Sequence, residues 1–219
     1  MSSLHSQSCG CRVVAFIDGQ NLFMAAKEAF GYTYPNYDVQ KLARAICDQQ
    51  GWILAETRFY TGVPPKENDP FRHAFWAGKL RHMGRTMIVV FTRPLRYSLV
   101  EVRLPDGSVK QVSKAREKGI DIRIALDMVR AARERRGDIL LVFSQDQDLT
   151  EAVEEVKIIS ASSKANIRVA SAYPSGPAPC NDRGIDKTDW IRIDKKLYDS
   201  CIDPTDYRAA DTPLFPPKP

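Results

Sequence analysis

Apolar residues fall in short unbroken blocks along this chain, separated by longer stretches with helical spacing. Val13–Ile17 and Ile139–Phe143 are the clearest blocks. Runs of about five apolar, often β-branched residues read as strands buried on both faces. The pattern predicts strands at Arg12–Ile17, Trp52–Tyr60, Met87–Thr92, Ile139–Phe143 and Ile167–Ala172, with a short last strand at Trp190–Ile193. Between them lie predicted helices at Leu22–Ala29, from the N-cap Asp38 to Gln49, at Pro70–Met83 with Gly84 as a stop, at Ile120–Glu134 and at Leu149–Ser160. Such alternation implies an α/β fold, a three-layer α/β/α sandwich around a mainly parallel sheet.

One segment breaks the rhythm. RYSLVEVRLPDGSVKQVS alternates apolar and polar residues on both sides of Pro105-Asp106-Gly107, which is a hairpin signature. It predicts a β-hairpin insertion over about residues 93–118. The organisation expected is an N-terminal extension (1–11), one domain (12–202) and an extended Pro-rich tail (203–219), which holds five of the chain's 14 prolines.

Composition narrows the class. A hydrophobic fraction of 43% with 27% charged residues suits a chain that can bury a core. No apolar run approaches the roughly 20 residues that span a bilayer, and the N-terminus lacks a signal-peptide pattern, so a cytoplasmic protein is expected. Five cysteines at irregular spacing imply reduced thiols. Cys9-Gly-Cys11 has no second pair to complete a zinc site, and His5, His73 and His82 show no metal spacing. The net charge of +5 is uneven: Arg93, Arg96, Arg103, Lys110, Lys114, Arg116 and Lys118 face only Glu101, Asp106 and Glu117 in their window. Clustered positive charge points to a polyanionic partner or to a solvated face.

The candidate chemistry lies in acids at element ends. Asp18 closes the apolar run of VVAFIDGQN, Asp146 and Asp148 follow that of LLVFSQDQD, and Asp121 opens the helix of KGIDIRIALD. In a parallel sheet, ligands bind beyond the carboxyl ends of the strands, so these acids belong on one edge. Each has a structural reading as a helix cap or a first-turn acid. Two caps are not needed in SQDQD, however, and carboxylates gathered in one cleft repel each other by roughly 4 kcal/mol per close pair. A divalent cation offsets that repulsion. Asn21 and Ser144 are candidate supporting groups. Asp127, with Arg123 and Arg130 one turn away on either side, reads as part of a surface ion-pair row. Tyr32, Tyr34 and Tyr37 either pack together in their loop or stack on unpaired bases. There is no GxSxG, no P-loop, no GxGxxG after the first strand and no DxDxT, which argues against covalent-nucleophile hydrolases and dinucleotide enzymes.

FIDGQNL, EKGIDIRIALDMV and ILLVFSQDQDL, in that order, resemble the NYN domain, a branch of the PIN-like nucleases, and within it the bacterial LabA-like group. The resemblance spans roughly Val13 to Ile193. It implies a parallel-sheet sandwich that cleaves RNA phosphodiesters with Mg²⁺ or Mn²⁺. The family's acidic positions carry over to Asp18, Asp121, Asp146 and Asp148 as catalytic and metal-binding residues, with Asn21 in support. The sequence departs from the pattern twice. It lacks the early-helix acid of typical PIN nucleases, and it reads Ser-Gln-Asp-Gln-Asp where Ser-Gly-Asp-x-Asp is usual.

The expectation is therefore a metal-dependent ribonuclease in which an activated water attacks phosphorus. Arg96, Arg103, Lys110, Arg116 and Lys118 would grip the phosphate backbone of RNA, single-stranded by preference. The alternatives are a non-catalytic RNA-binding or regulatory module on the same fold, favoured by the missing acid, and a small-molecule phosphatase, disfavoured by so wide a basic window. The hairpin leaves room for a homodimer contact.

Overall fold

The most apolar strands sit at the centre of the sheet, as burial on both faces requires. The computed structural model describes residues 10–103, 107–116, 118–177 and 180–207. In chain order its elements are β1 (Arg12–Asp18), α1 (Gly19–Phe30), α2 (Val39–Gln50), β2 (Ile53–Val63), α3 (Pro70–Arg85), β3 (Val89–Pro94), β4 (Arg96–Arg103), β5 (Val109–Arg116), α4 (Ile120–Arg133), β6 (Ile139–Phe143), α5 (Thr150–Ser162), β7 (Arg168–Pro174), β8 (Asp189–Ile193) and α6 (Lys195–Ser200). Six strands form one parallel sheet in the order β3-β2-β1-β6-β7-β8. Residues of β1 alternate between two cores. Val13, Ala15 and Ile17 pack with α1, α2, α3 and α6, whereas Val14 and Phe16 pack with α4 and α5. The three-layer α/β/α sandwich is thus present.

The strand order reverses between β1 and β6. From β1 the chain winds outward to β2 and β3; from β6 it winds the other way to β7 and β8. A crevice opens at such a switch point beyond the strand ends. Ile17 pairs with Phe143 in register, so the turns carrying Asp18 and Ser144 lie side by side.

The hairpin is separate: β4 and β5 pair only with each other, antiparallel from Arg96↔Arg116 to Arg103↔Val109. The expected insertion begins later than residue 93, because Arg93 and Pro94 still pair with Gly62 and Val63 in the main sheet. Residues 104–106 and Glu117, which belong to the expected turn and its charge count, lie outside the described residues, as do 1–9 with His5 and Cys9.

Several boundaries differ for physical reasons. α1 starts at Gly19, not Leu22, because the Asp18 side chain accepts from the Asn21 N–H and caps it there. Gly19 is needed at that point: a Cβ would stand 2.5 Å from the Phe59 ring. Gly84 does not stop α3, which runs on to Arg85 and ends where the Thr86 hydroxyl donates to the Met83 carbonyl. α6, too short and polar for a periodic signal, had no counterpart in the sequence pattern.

Asp127 corrects the surface-row reading. It is buried, and its Oδ2 accepts from Tyr60 Oη (2.9 Å), Arg58 Nη1 (3.0 Å) and Arg123 Nε (3.0 Å). Arg123 and Arg130 do flank it on its own helix, but β2 supplies the buried partners. The supposed tail also begins in contact with the body. The Lys79 ammonium is buried and donates to the Tyr37 carbonyl (2.8 Å) and to Asp203 (3.0 Å), and the Tyr207 ring packs on Phe75. Burial pulls the Lys79 pKa down despite Asp203. Residues 208–219 lie outside the described residues. Cys11, Cys47, Cys180 and Cys201 are free thiols, and no described helix is long and apolar enough to cross a membrane.

Candidate functional site

The crevice at the β1/β6 switch point holds a pocket of about 450 Å³. Asp18 and Asn21 enter it from the β1–α1 turn, Lys118 and Asp121 from the start of α4, and Asp146 from the turn after β6. Residues more than a hundred positions apart thus line one cavity. Asp148 does not. It borders an adjoining groove between α4 and α5, which shares Asp121 with the pocket.

Short polar links fix this arrangement. Asp18 Oδ1 accepts from the Asn21 N–H (3.0 Å), and the Ser144 hydroxyl stands 3.5 Å from Asp18 Oδ2. Asn21 Oδ1 in turn accepts from the Gln145 N–H (2.9 Å), which ties the β1 and β6 turns together. The Asp146 N–H donates to Ser144 Oγ (3.1 Å), and Asp146 Oδ1 accepts from the Asp148 N–H (3.0 Å). Asn21 and Ser144 thus tie the two turns together around Asp18, and the Asp148 backbone amide holds the Asp146 carboxylate.

Burial dominates the electrostatics of Asp18. Desolvation lifts its pKa from 3.8 to about 6; the Asn21 N–H opposes the rise, and the charge of Asp146 adds to it. A buried acid that carries its charge at neutral pH beside a second acid is a site that gains from a cation. Among the described residues no three His, Cys, Asp or Glu side chains form a ready-made cage. The donors still suit Mg²⁺, which keeps several waters and needs only one or two carboxylates.

The cations divide by position. Lys118 lines the pocket, Arg96 and Arg116 face each other at the base of the hairpin, and Arg103 and Lys110 lie at its far end. With strands of eight residues, the two ends are about 25 Å apart. Arg93, counted in the basic window but not among the residues expected to grip RNA, lies against Gly119 at the start of α4. Two of the three loop tyrosines pack against the protein. Tyr37 is buried with its hydroxyl donating to the Gly19 carbonyl (3.0 Å), and Tyr32 stacks on Tyr198.

Sequence reasoning missed Gln145 and Gln147 as working residues. Gln145 Nε2 donates to the carbonyls of Asn181 (2.6 Å) and Arg183 (3.0 Å). Gln147 Nε2 donates to the Gly184 carbonyl (3.0 Å), and its Oε1 accepts from the Asp186 N–H (3.1 Å). The signal was in plain view: these are the side chains that turn Ser-Gly-Asp-x-Asp into Ser-Gln-Asp-Gln-Asp. They pin the 181–186 loop beside the crevice. Gln147→Ala is expected to speed amide exchange at Gly184 to Asp186 while costing only about 1 kcal/mol globally. Unchanged exchange there would show that the loop stands without it.

A search of curated proteins gives no match. Among solved structures, a protein of unknown function from Vibrio parahaemolyticus is similar at 20% identity and a TM-score of 0.48, covering 89% of this chain and 98% of that one. The family model described as NYN domain matches residues 12–167, a span that contains every aspartate of the pocket. With that match over most of its length, the chain belongs to the NYN domain family, within the PIN-like nuclease superfamily.

Proposed function

We propose that this protein is a metal-dependent ribonuclease of the LabA-like kind. The observation that carries the reading is that Asp18, Asp121 and Asp146, from three separate elements, line one pocket with Lys118. Asp18 and Asp146 would hold a Mg²⁺ or Mn²⁺ ion, with Asp121 completing the set. The ion would supply positive charge against the phosphodiester and lower the pKa of an attacking water. The chain's own groups do the rest. The Asn21 N–H and Ser144 hold Asp18 in the turn, and the Asp148 N–H holds Asp146. Lys118 faces the non-bridging phosphate oxygens. Arg93, beside Gly119, and Arg96 and Arg116, at the hairpin base, would bind flanking phosphates, whereas Arg103 and Lys110, at the far end, would reach more distant nucleotides. No protein nucleophile is required. A second reading, a non-catalytic RNA-binding module, draws on the lack of a preformed three-carboxylate cage among the described residues.

Labelled single-stranded RNA separates these. Cleavage with Mn²⁺ that stops in EDTA and in Asp146→Asn supports the nuclease. Binding without cleavage supports the module, and phosphate release from a small ester with RNA untouched supports a phosphatase. Cleavage that persists in both EDTA and Asp146→Asn would overturn the metal-site reading. Removing a cation that neutralises one phosphate should also flatten the salt dependence of binding, so Lys118→Ala is expected to lower the slope of log affinity against log salt by about 0.7. That slope is measured by titration at a series of salt concentrations.

A further inference from the structure

Two unpartnered surfaces of opposite charge lie on this one chain. The first is the hairpin. A two-stranded ribbon is marginally stable in water unless it packs on something, yet all eight residues of β5 are exposed. Opposed residues of an antiparallel pair share a face. On one face Val100 sits opposite Val112, with Val102 beside Lys110 and Ser98 beside Lys114. Val102 and Val112 are 42% and 40% exposed. The other face, with Tyr97, Leu99 and Val109, is also open, Leu99 and Val109 being 68% and 55% exposed, but it sets Glu101 among its apolar residues where the valine face sets Lys110 and Lys114.

The second surface is the groove between α4 and α5, about 360 Å³. Its floor is Ile122, Leu126 and Val129, the first two 62% and 59% exposed. Its rim carries Asp148, Glu151 and Glu155, the last paired with Arg133 (3.4 Å). An apolar strip edged by lysines fits an apolar floor edged by acids.

We infer that the chain forms a two-fold dimer in which each copy's hairpin seats its valine face in the α4–α5 groove of the other. A second copy is favoured over RNA because the groove rim repels phosphate and the valine pair offers phosphate nothing. It is favoured over an unrelated protein because both complementary surfaces are on the same chain. A two-fold arrangement uses both at once and closes, leaving neither exposed. It also doubles an area that one ribbon alone would leave small. Because the groove shares Asp121 with the carboxylate pocket, the partner's hairpin would border that pocket.

Sedimentation equilibrium over a concentration series tests this without reference to cleavage. The native chain is expected to show dimer mass. Val112→Asp and Leu126→Arg, both at exposed positions, should each weaken dimerisation at least about tenfold. Lys114→Glu, on the same face, gives a third variant with the same direction expected. Mixing Val112→Asp with Leu126→Arg should restore dimers, because one native hairpin then meets one native groove. A native chain that is monomeric throughout, or a dimer indifferent to these substitutions, would overturn the inference. So would substitutions that weaken RNA binding and leave the mass unchanged, because the hairpin face would then belong to RNA.

Discussion

Asp18→Asn is expected to make the metal-free protein more stable at neutral pH, by up to about 3 kcal/mol, while removing cleavage. Native Asp18 titrates near 6, against 3.8 for an unperturbed aspartate, because burial disfavours its charge. Between those values the native state binds more protons than the unfolded chain, so stability falls as pH rises through the window. Above about 6 the whole penalty, roughly two pKa units, is present. Asparagine carries no charge to desolvate and caps a helix as well as aspartate does, so the α1 N-terminus survives. Denaturant unfolding in EDTA at neutral pH and near pH 4 checks this. The gain should be present at the first and absent at the second. Equal stabilities at neutral pH would mean that Asp18 is not the strained group of the pocket.

Asp127→Ala is expected to do the opposite, costing about 3–5 kcal/mol. Its carboxylate is the anion against which the nearly buried Arg58 guanidinium is placed, and it accepts from Tyr60 and Arg123 at the same oxygen. Removing it leaves Glu56 (2.6 Å) as the carboxylate paired with Arg58. Breaking one side of a buried pair costs more than the pair contributes, since the remaining charge stays desolvated. Asp127→Asn should recover only part of the loss, because an amide offers an oxygen to Tyr60 but no charge to Arg58. A loss below about 1 kcal/mol in denaturant unfolding would place Arg58 in water and return Asp127 to the surface row that its i−4 and i+3 arginines suggest.

The opposite signs at these two aspartates show where sequence reading succeeds and where it stops. The blocks Val13–Ile17 and Ile139–Phe143 told of central strands because burial on both faces leaves no room for a polar residue. Asp18, Asp121 and Asp146 could be placed on one edge because a parallel sheet puts all its strand ends there. Asp148 was not separable from Asp146 by the same argument. Two residues along, inside the 3₁₀ turn of Gln147–Leu149, the side chain borders the next groove. Asp127 was misjudged since its decisive partners, Arg58 and Tyr60, come from a strand nearly seventy positions earlier. Gln145 and Gln147 were legible as departures from a pattern but not as anchors, because the loop they hold has no periodicity to announce it. Asp203 to Tyr207 looked like tail because Lys79, which draws it in, sits inside a helix where a lysine ordinarily points to water.

Mn²⁺ binding at neutral pH, followed by calorimetry, bears most directly on the carboxylate pocket. The native chain is expected to bind the ion, with affinity falling at least about tenfold in Asp18→Asn and in Asp146→Asn. Val112→Asp, outside the pocket, should bind as the native chain does. Affinity unchanged by either aspartate substitution, or no binding by the native chain, would contradict the account.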